Sequence, residues 1–171
     1  ILSFMGSSCI SARLWVIRAS QGASMSKLVL FILILLSLPV ATAKEHQQSI
    51  NAAQSVLDDF MREFNNRDLP ELAKTLNYPH VRFASGTVKV FSTSEEFSGR
   101  PIYASLIATG WDHSHWLTRD VVLASSEKIH IATTFSRFDQ NNRVIGTYQS
   151  LYVVTMVDGH WGIQARSSLA P

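Results

Sequence analysis

The chain has 171 residues, with 15 Lys and Arg against 13 Asp and Glu, and its one cysteine is Cys9. Such a balance, without a run of basic residues, argues against a nucleic-acid partner. A single thiol near the N-terminus excludes an intramolecular disulfide and leaves the rest of the chain without thiol chemistry.

The first recognisable segment in chain order begins at Met25 and is typical of a secretory signal peptide. Lys27 precedes an apolar run of 13 residues, 28–40, and the small-x-small sequence ATA ends at Ala43. This order predicts a signal peptide over 25–43, cleavage near Ala43, and an exported protein that is periplasmic or secreted. A helix needs roughly 20 apolar residues to cross a bilayer, so we expect no stable membrane anchor after cleavage.

Residues 1–24 precede this segment and are interpreted as an upstream extension that is not part of the fold. Without them and the leader, 44–171 remains, which is 128 residues and the size of a single domain. That part carries 12 Lys and Arg against 13 Asp and Glu, a net charge near −1. The basic character of the whole chain therefore belongs partly to the segment that would be removed.

Two helices are predicted at the start of this domain. Over 49–66, apolar residues recur at steps of three and four, the pattern of one buried helix face: Ile50, Ala53, Leu57, Phe60 and Phe64. Asp68 and Glu71 then form a capping box, and Pro70 fits the first turn of a second helix, where a missing N–H costs little.

The rest of the domain is predicted to be mainly β-structure. The sequence HVRFASGTVKVF indicates two short strands joined by a Ser-Gly turn, and a helical segment follows that ends at Gly110. Four further strands are predicted at 116–124, 128–138, 143–157 and 160–168. Helices followed by an antiparallel meander indicate the α+β class.

The turns between these strands predict which side chains share the inner face of the sheet. Asp158-Gly159 is a strong hairpin signal of two residues, and it pairs Tyr152 with Ala165. Arg166, one residue further, would then lie outside the core. A turn of four residues before strand 143–157 pairs Ile129 with Tyr152 and adds Arg137 to the inner face.

The register of strand 116–124 decides between two sets of inner residues. A turn near 126–127 places Asp120 inward, whereas a slip of one residue would replace it with Arg119 and Val121. An inward Asp120 among apolar neighbours would have a raised pKa and suit general acid–base catalysis. The alternative is an exposed acid paired with a neighbouring cation.

Over about 49–168 the sequence resembles the nuclear transport factor 2-like superfamily, which includes SnoaL-like domains, ketosteroid isomerase and scytalone dehydratase. The resemblance rests on NNRDLPELAKTL after the first helix, NYPHVRF at the first strand and the closing LYVVTMVDGHWGIQARSS. It implies a cone-shaped α+β fold, in which N-terminal helices pack on a curved antiparallel sheet around a pocket. Enzymes, binding proteins and interaction modules share this fold, so function has to be argued from the site.

The resemblance to ketosteroid isomerase does not extend to its proton-transfer residues. The positions of that enzyme's tyrosine, general base and carboxylic acid fall at or near Phe60, Ala84 and Tyr152. Since two of the three roles have no suitable side chain, the sequence does not support proton transfer on a steroid-like enol.

Besides Asp120, the candidate polar residues of the pocket are one histidine and two arginines. His80 and Arg82 share one side of the first strand, where they could line the pocket mouth as proton carrier and anion clamp. Arg137 ends the inner row and could hold an anion through its planar fork. For Arg137 the alternative is a structural salt bridge at the rim.

Four aromatic residues are expected to give a ligand contact area. Trp111, just past the third helical segment, is predicted to cover the opening of the cone as a lid. Tyr103, Tyr148 and Tyr152 are expected in its wall, although buried tyrosines often only bond a backbone group.

The segment GWDHSHW at 110–116 raises the question of a metal site, because His113 and His115 share a strand face at a ligand spacing. The predicted register turns both histidines outward and supplies no further ligand. We therefore expect a helix end and a polar strand entry, with no metal and no other cofactor.

The sequence thus predicts an exported domain that binds a small, largely apolar molecule in its cone. One alternative is a cofactor-independent isomerase, dehydratase or hydrolase that uses Asp120 or His80 as its acid or base. The other is a dimeric protein-interaction module without a ligand. The outer face of the sheet mixes apolar and polar residues and is expected to pair two copies as a homodimer.

Overall fold

The computed structural model describes residues 25–84 and 86–170, and their side chains from Lys44 onward. The extension predicted over 1–24 lies outside the described residues, as do the side chains of the predicted leader, so export and cleavage stay predictions. Among the described helices, none combines the length and the apolar character that a bilayer crossing requires. One structural unit spans Pro39–Pro171, and the site lies within it.

In the described part of the chain, helices occur only before residue 108, and strands alone follow. The helices are α1 (Met25–Asn66), α2 (Leu69–Lys74), α3 (Ser94–Ser98) and α4 (Ile102–Ile107). The strands are β1 (Leu76–Ala84), β2 (Thr87–Phe91), β3 (His113–Ala124), β4 (Lys128–Phe138), β5 (Val144–Val157) and β6 (His160–Ser168).

The six strands form one mixed sheet in the order β2-β1-β6-β5-β4-β3. Each neighbouring pair is antiparallel except β1 and β6, which run parallel. The N-terminal helices pack on one face of this sheet, so the predicted α+β class and its helix-on-sheet arrangement are confirmed.

The apolar stripe of α1 supplies the helical half of the core. Ala53 and Leu57 are fully buried, and the Phe60 ring meets Tyr152 of β5 edge-on at 5.7 Å. The chain then turns into α2, whose predicted cap is present because the Asp68 carboxylate accepts a hydrogen bond from the Glu71 backbone N–H at 3.0 Å. These contacts dock α1 over the inner face of the sheet.

The β5–β6 hairpin follows its predicted register only near the turn. Val154 lies opposite Ile163, as the Asp158-Gly159 turn predicts, but a bulge follows and Tyr152 lies opposite Arg166 instead of Ala165. Because one extra residue reverses which face every later side chain occupies, Arg166 points inward. Its predicted position outside the core was wrong.

Strand β3 carries two bulges, and between them the predicted inner and outer residues are exchanged. Asp120 lies opposite Ala132 and is exposed, whereas Arg119 and Val121 lie opposite inner residues of β4. The inward placement of Asp120 was therefore wrong, and the slip of one residue considered as its alternative is the register found.

Candidate functional site

A cavity of about 400 Å³ lies between the inner face of the sheet and the helices. Most of its wall is apolar or aromatic, consisting of Phe60, Met61, Phe64, Leu72, Phe97, Ile102, Leu106, Trp116, Phe135 and Tyr152. The polar lining consists of His80, Arg82, Arg100, Ser105, Thr109, Ser114, Arg137 and Arg166. Among these lining residues, four are arginines and none is an Asp or Glu.

Arg166 lies at the centre of the aromatic part of the wall. Its guanidinium carbon is 5.2 Å from the centre of the Tyr152 ring and 5.7 Å from those of Phe60 and Phe135. One terminal nitrogen donates to the Ser168 hydroxyl at 3.3 Å, while the buried Nε–H has no hydrogen-bond partner among the described residues. Cation–π contact stabilises such a group but leaves donors free for a ligand.

Two further arginines of the cavity carry unpartnered donors. Arg82 lies beside Arg166 on the adjacent strand, and Arg137 lies over the Tyr148 ring at 4.9 Å. The Nε–H groups of both are buried and bond nothing in the described part of the chain, where neither forms an ion pair. Burial lowers the pKa of each guanidinium, and the positive charge of Arg166 lowers it further. The rim salt bridge considered for Arg137 is absent from the described residues.

Arg100 differs from the other three because its side chain is held by the protein. Its Nε–H donates to the Phe97 carbonyl at 2.9 Å, and its guanidinium carbon lies 4.3 Å from the Phe91 ring and 4.0 Å from the Phe97 ring. Burial, helped by the charge of Arg82, lowers the pKa of Arg100 to about 10, so it stays cationic at neutral pH.

His80 is a buried histidine in the cavity wall. Only 3% of it is exposed, and its Nδ1 lies 2.9 Å from the carbonyl oxygen of Ile163. Since a carbonyl can only accept, Nδ1 carries the hydrogen and Nε2 keeps its lone pair. Burial lowers the pKa of His80 to about 4, with smaller contributions from Arg166 and Arg100, so the imidazole is neutral at pH 7.

The cavity does not include every aromatic residue that the sequence singled out. Tyr152 lines it, whereas Tyr148 lies behind Arg137 and Tyr103 lies in a second layer against Trp111, ring centres 6.0 Å apart. Burial raises the pKa of Tyr103 to about 12 and also raises that of Tyr152. Both phenols are therefore protonated at neutral pH.

Trp111 does not cover the opening of the cone, so its predicted role as a lid was wrong. Only 2% of the residue is exposed, its ring contacts Phe64 at 5.2 Å, and its Nε1–H donates to the Ser114 hydroxyl at 2.9 Å. Burying the indole among aromatic rings while its one donor is satisfied is more favourable than exposing it at the mouth.

Two other sequence candidates lie away from the cavity. Asp120 lines an open groove on the outer face of the sheet, together with Thr118 and Leu151. His113 and His115 contact each other and Phe138 at the start of β3, and no cluster of three or more potential metal ligands occurs in the ranges that the structure describes.

Sequence reasoning missed Arg100 as a wall residue and misplaced Arg166. Arg100 stands between Gly99 and Pro101, which signal a break but not the direction of the side chain between them. His80, Arg82 and Arg137 lie on the cavity wall, as strand alternation predicted, while the roles suggested for them remain predictions.

No curated protein matches the sequence. An NTF-2 like protein of unknown function from Shewanella oneidensis MR-1 has a similar structure, with 13% identity over 71% of this chain and 98% of its own and a TM-score of 0.57. A ketosteroid isomerase-like protein from Erwinia carotovora atroseptica shares 19% identity over 71% of this chain and 96% of its own, with a TM-score of 0.53.

An NTF2-like protein with a cystatin-like fold from Novosphingobium aromaticivorans covers 85% of this chain and 89% of its own, with 9% identity and a TM-score of 0.57. Identities this low show a shared fold and nothing more. The family described as NTF2-like protein (DUF6841) matches residues 47–170, which is nearly all of the described fold. The chain therefore belongs to this NTF2-like family, as the resemblance at superfamily level predicted.

Proposed function

We propose that the domain binds a small organic anion whose apolar body lies in the aromatic part of the cavity. The observation that carries this proposal is the lining itself, in which four arginines face one space without a carboxylate. Burying a cation is unfavourable unless an opposite charge and hydrogen bonds compensate for the lost water. An anionic ligand would supply both, so the predicted apolar ligand is refined to an amphipathic one.

The proposed orientation follows from the positions of the rings and guanidiniums. Phe60, Phe135 and Tyr152 surround Arg166, so an anionic group bonded to that arginine would leave its apolar body against aromatic surface. Arginine binds carboxylate and phosphate groups through two parallel hydrogen bonds, which fixes the orientation of the anion. The volume of about 400 Å³ lies within the usual range for small-molecule sites.

Benzoate is a suitable first probe, because it joins one aromatic ring to one carboxylate. We expect isothermal titration calorimetry to detect benzoate binding to the wild type and a loss of at least about tenfold in affinity for Arg166→Met. Arg62→Met, which removes an exposed cation of α1 outside the cavity, serves as the matched control and should bind like the wild type. Equal affinity of all three proteins, or no binding of any aromatic anion to the wild type, would refute the proposal.

Native mass spectrometry of protein purified from its own host gives an independent test. The spectrum is expected to contain a species heavier than the polypeptide, and negative-ion analysis of the released compound should identify an acid. A retained cation or an uncharged lipid would contradict the proposed ligand class.

His80 favours a second candidate function, proton transfer on such an anion. Its imidazole lies in the cavity wall, and the bond from Nδ1–H to Ile163 leaves Nε2 as a base. Neutralisation of the nearby guanidiniums by a bound anion would raise the pKa of His80 from about 4 towards the range suited to catalysis. Of the two residues predicted as alternative acids or bases, this candidate keeps His80 and drops the outward-facing Asp120.

Phenylpyruvate tests this candidate, because it is an aromatic carboxylate with acidic hydrogens at C3. In D₂O, NMR should show faster exchange of those hydrogens with the wild type than with His80→Gln. Exchange at the uncatalysed rate in the presence of the wild type would leave the domain as a binding protein for this class of ligand.

We further propose that the outer face of the sheet pairs two copies of the chain. Its apolar side chains include Phe83, which is 46% exposed, and Leu151, which is 39% exposed. This proposal concerns assembly alone and does not revive the interaction module without a ligand. That alternative assumed a cone filled by side chains, whereas the structure has a cavity there. Size-exclusion chromatography with light scattering should give a dimer for the wild type and a monomer for Leu151→Glu; a monomeric wild type would refute it.

A further inference from the structure

We infer that the anionic end of the ligand carries two negative charges, as a phosphate group or as two neighbouring carboxylates. This inference rests on the proposed binding function and specifies the class of ligand within it. It comes from the number, convergence and unused hydrogen-bond donors of three arginines: Arg82, Arg137 and Arg166.

The three arginines approach one region of the cavity from three strands. Arg82 on β1 and Arg166 on β6 are register partners on parallel neighbours, so their side chains leave the sheet side by side. Arg137 comes from β4 and stacks on Tyr148, whose ring centre lies 5.6 Å from that of Phe135. The Phe135 ring is also a neighbour of Arg166, at 5.7 Å, so both guanidiniums lie beside the same aromatic pair.

The effects of the three arginines on one another's pKa also indicate that they lie close together. The charges of Arg166 and Arg137 both lower the pKa of Arg82, and the charge of Arg166 lowers the pKa of Arg137. Like charges at this range repel each other in the unliganded protein. One carboxylate would compensate for one of the three charges, whereas a dianion would compensate for two.

The unused hydrogen-bond donors of the three arginines also favour a dianionic head group, for a reason that is independent of charge. The Nε–H groups of Arg82, Arg137 and Arg166 are each buried, and none has a partner within the described ranges. A phosphate group offers three terminal oxygens and two carboxylates offer four, so either can receive bonds from three directions. A single carboxylate has two oxygens in one plane and suits one guanidinium fork.

Arg100 is not part of this head-group site. Its Nε–H is already bonded to Phe97, and its guanidinium stacks on the rings of Phe91 and Phe97. Three arginines with three free Nε–H donors therefore define the charge of the ligand head.

Four probes with one phenyl ring and different head groups test this inference. Benzoate and benzenesulfonate are monoanions, whereas phthalate and phenyl phosphate are dianions at about pH 8, above the second phosphate pKa of ~6. By calorimetry, we expect at least one dianion to bind the wild type about tenfold more tightly than either monoanion, a difference of about 1.4 kcal/mol. Tighter binding of phthalate would identify paired carboxylates, and tighter binding of phenyl phosphate a phosphate group.

Two variants then test whether the arginines cause the preference for dianions. In Arg137→Met and in Arg82→Met the advantage of the dianion should fall to less than about threefold, while Arg62→Met should keep it in full. Two variants are used so that poor folding of one leaves the other as the test, and urea unfolding establishes that each is folded before titration.

The outcomes separate this inference from the function on which it rests. If the monoanions bind as tightly as both dianions, the domain is an anion-binding protein and the inference about head-group charge is wrong. If the preference survives in both arginine variants, the assignment of the head-group site is wrong. If none of the four probes binds, the proposed function itself fails.

Discussion

Arg166 lies opposite Tyr152 in the β5–β6 ladder, and its guanidinium carbon is 5.2 Å from the centre of the tyrosine ring. This pairing depends on a bulge in which Gln164 is the extra residue of β6, between Ile163 and Ala165. The Gln164 side chain donates to the Pro79 carbonyl and accepts from the Thr155 hydroxyl, which ties the bulge to both neighbouring strands. We expect these bonds, on the outer side of the sheet, to hold the bulge and thereby keep Arg166 directed into the cavity.

Gln164→Ala tests that dependence. Losing hydrogen bonds to β1 and β5 should lower the free energy of unfolding by about 1–2 kcal/mol, measured by urea denaturation. Benzoate affinity should fall in parallel, because the position of Arg166 would be less well fixed. Gln149→Ala, on the exposed part of β5, is the matched control. Unchanged stability together with unchanged affinity would show that the bulge does not need the Gln164 side chain.

The fold could be predicted because its strongest signals are local. The Asp158-Gly159 turn has two residues with positive φ, 49° and 82°, and it sets the correct register as far as Val154 and Ile163. The predicted pairing of β4 with β5 was two residues out, since Ile131 and not Ile129 lies opposite Tyr152. A shift of two keeps every side chain on its face, so the predicted inner row of β4 survived the error.

The site could be predicted only in part, because a register shift of one residue moves a side chain to the other face of the sheet. Bulges in β3 and β6 turned Asp120 out and Arg166 in, and a hydrophobicity pattern does not locate such bulges. The position of Trp111 was missed for another reason. Its burial depends on Phe64, which is distant from it in sequence, and on a bond to the Ser114 hydroxyl, which no sequence pattern indicates.

Arg137→Met should stabilise the unliganded protein. Arg137 is 9% exposed and its Nε–H has no partner among the residues that the structure describes, so an apolar side chain of similar length removes a buried charge that those residues leave uncompensated. We expect the free energy of unfolding in low-salt urea titrations to rise by about 1 kcal/mol. A bound anion stabilises the wild type more than the variant, which has one cation fewer in the site, so added phosphate should narrow the difference. Arg62→Met controls for the change in net charge, and a loss of stability in Arg137→Met would show that Arg137 is structural.

Trp111→Ala should destabilise the domain without removing the site. The indole is almost fully buried against Phe64 and Tyr103, and its replacement leaves a cavity and an unpartnered Ser114 hydroxyl. The expected loss is about 3–5 kcal/mol in urea denaturation, against less than about 0.5 kcal/mol for the exposed Leu117→Ala. A small loss of stability combined with loss of benzoate binding would restore the role of Trp111 as a lid.

His80 should make the stability of the protein depend on pH between about 6.5 and 4. Burial and the surrounding arginines lower its pKa to about 4 in the folded state, whereas the unfolded chain takes up the proton near the ordinary value of 6.5. In that window the unfolded state binds more protons, so acidification favours unfolding, and above 6.5 both states are neutral and His80 adds no pH dependence. The wild type should thus lose about 3 kcal/mol more than His80→Asn as the pH falls from 6.5 to 4, by urea denaturation at each pH.

Asp120→Asn changes a group on the outer face and should follow the wild type. A saturating anion beside the arginines should shrink the loss, because it favours the imidazolium. A constant difference in stability between wild type and His80→Asn at every pH would mean that burial does not shift the pKa of His80, and the neutral base proposed for the cavity would lose its support.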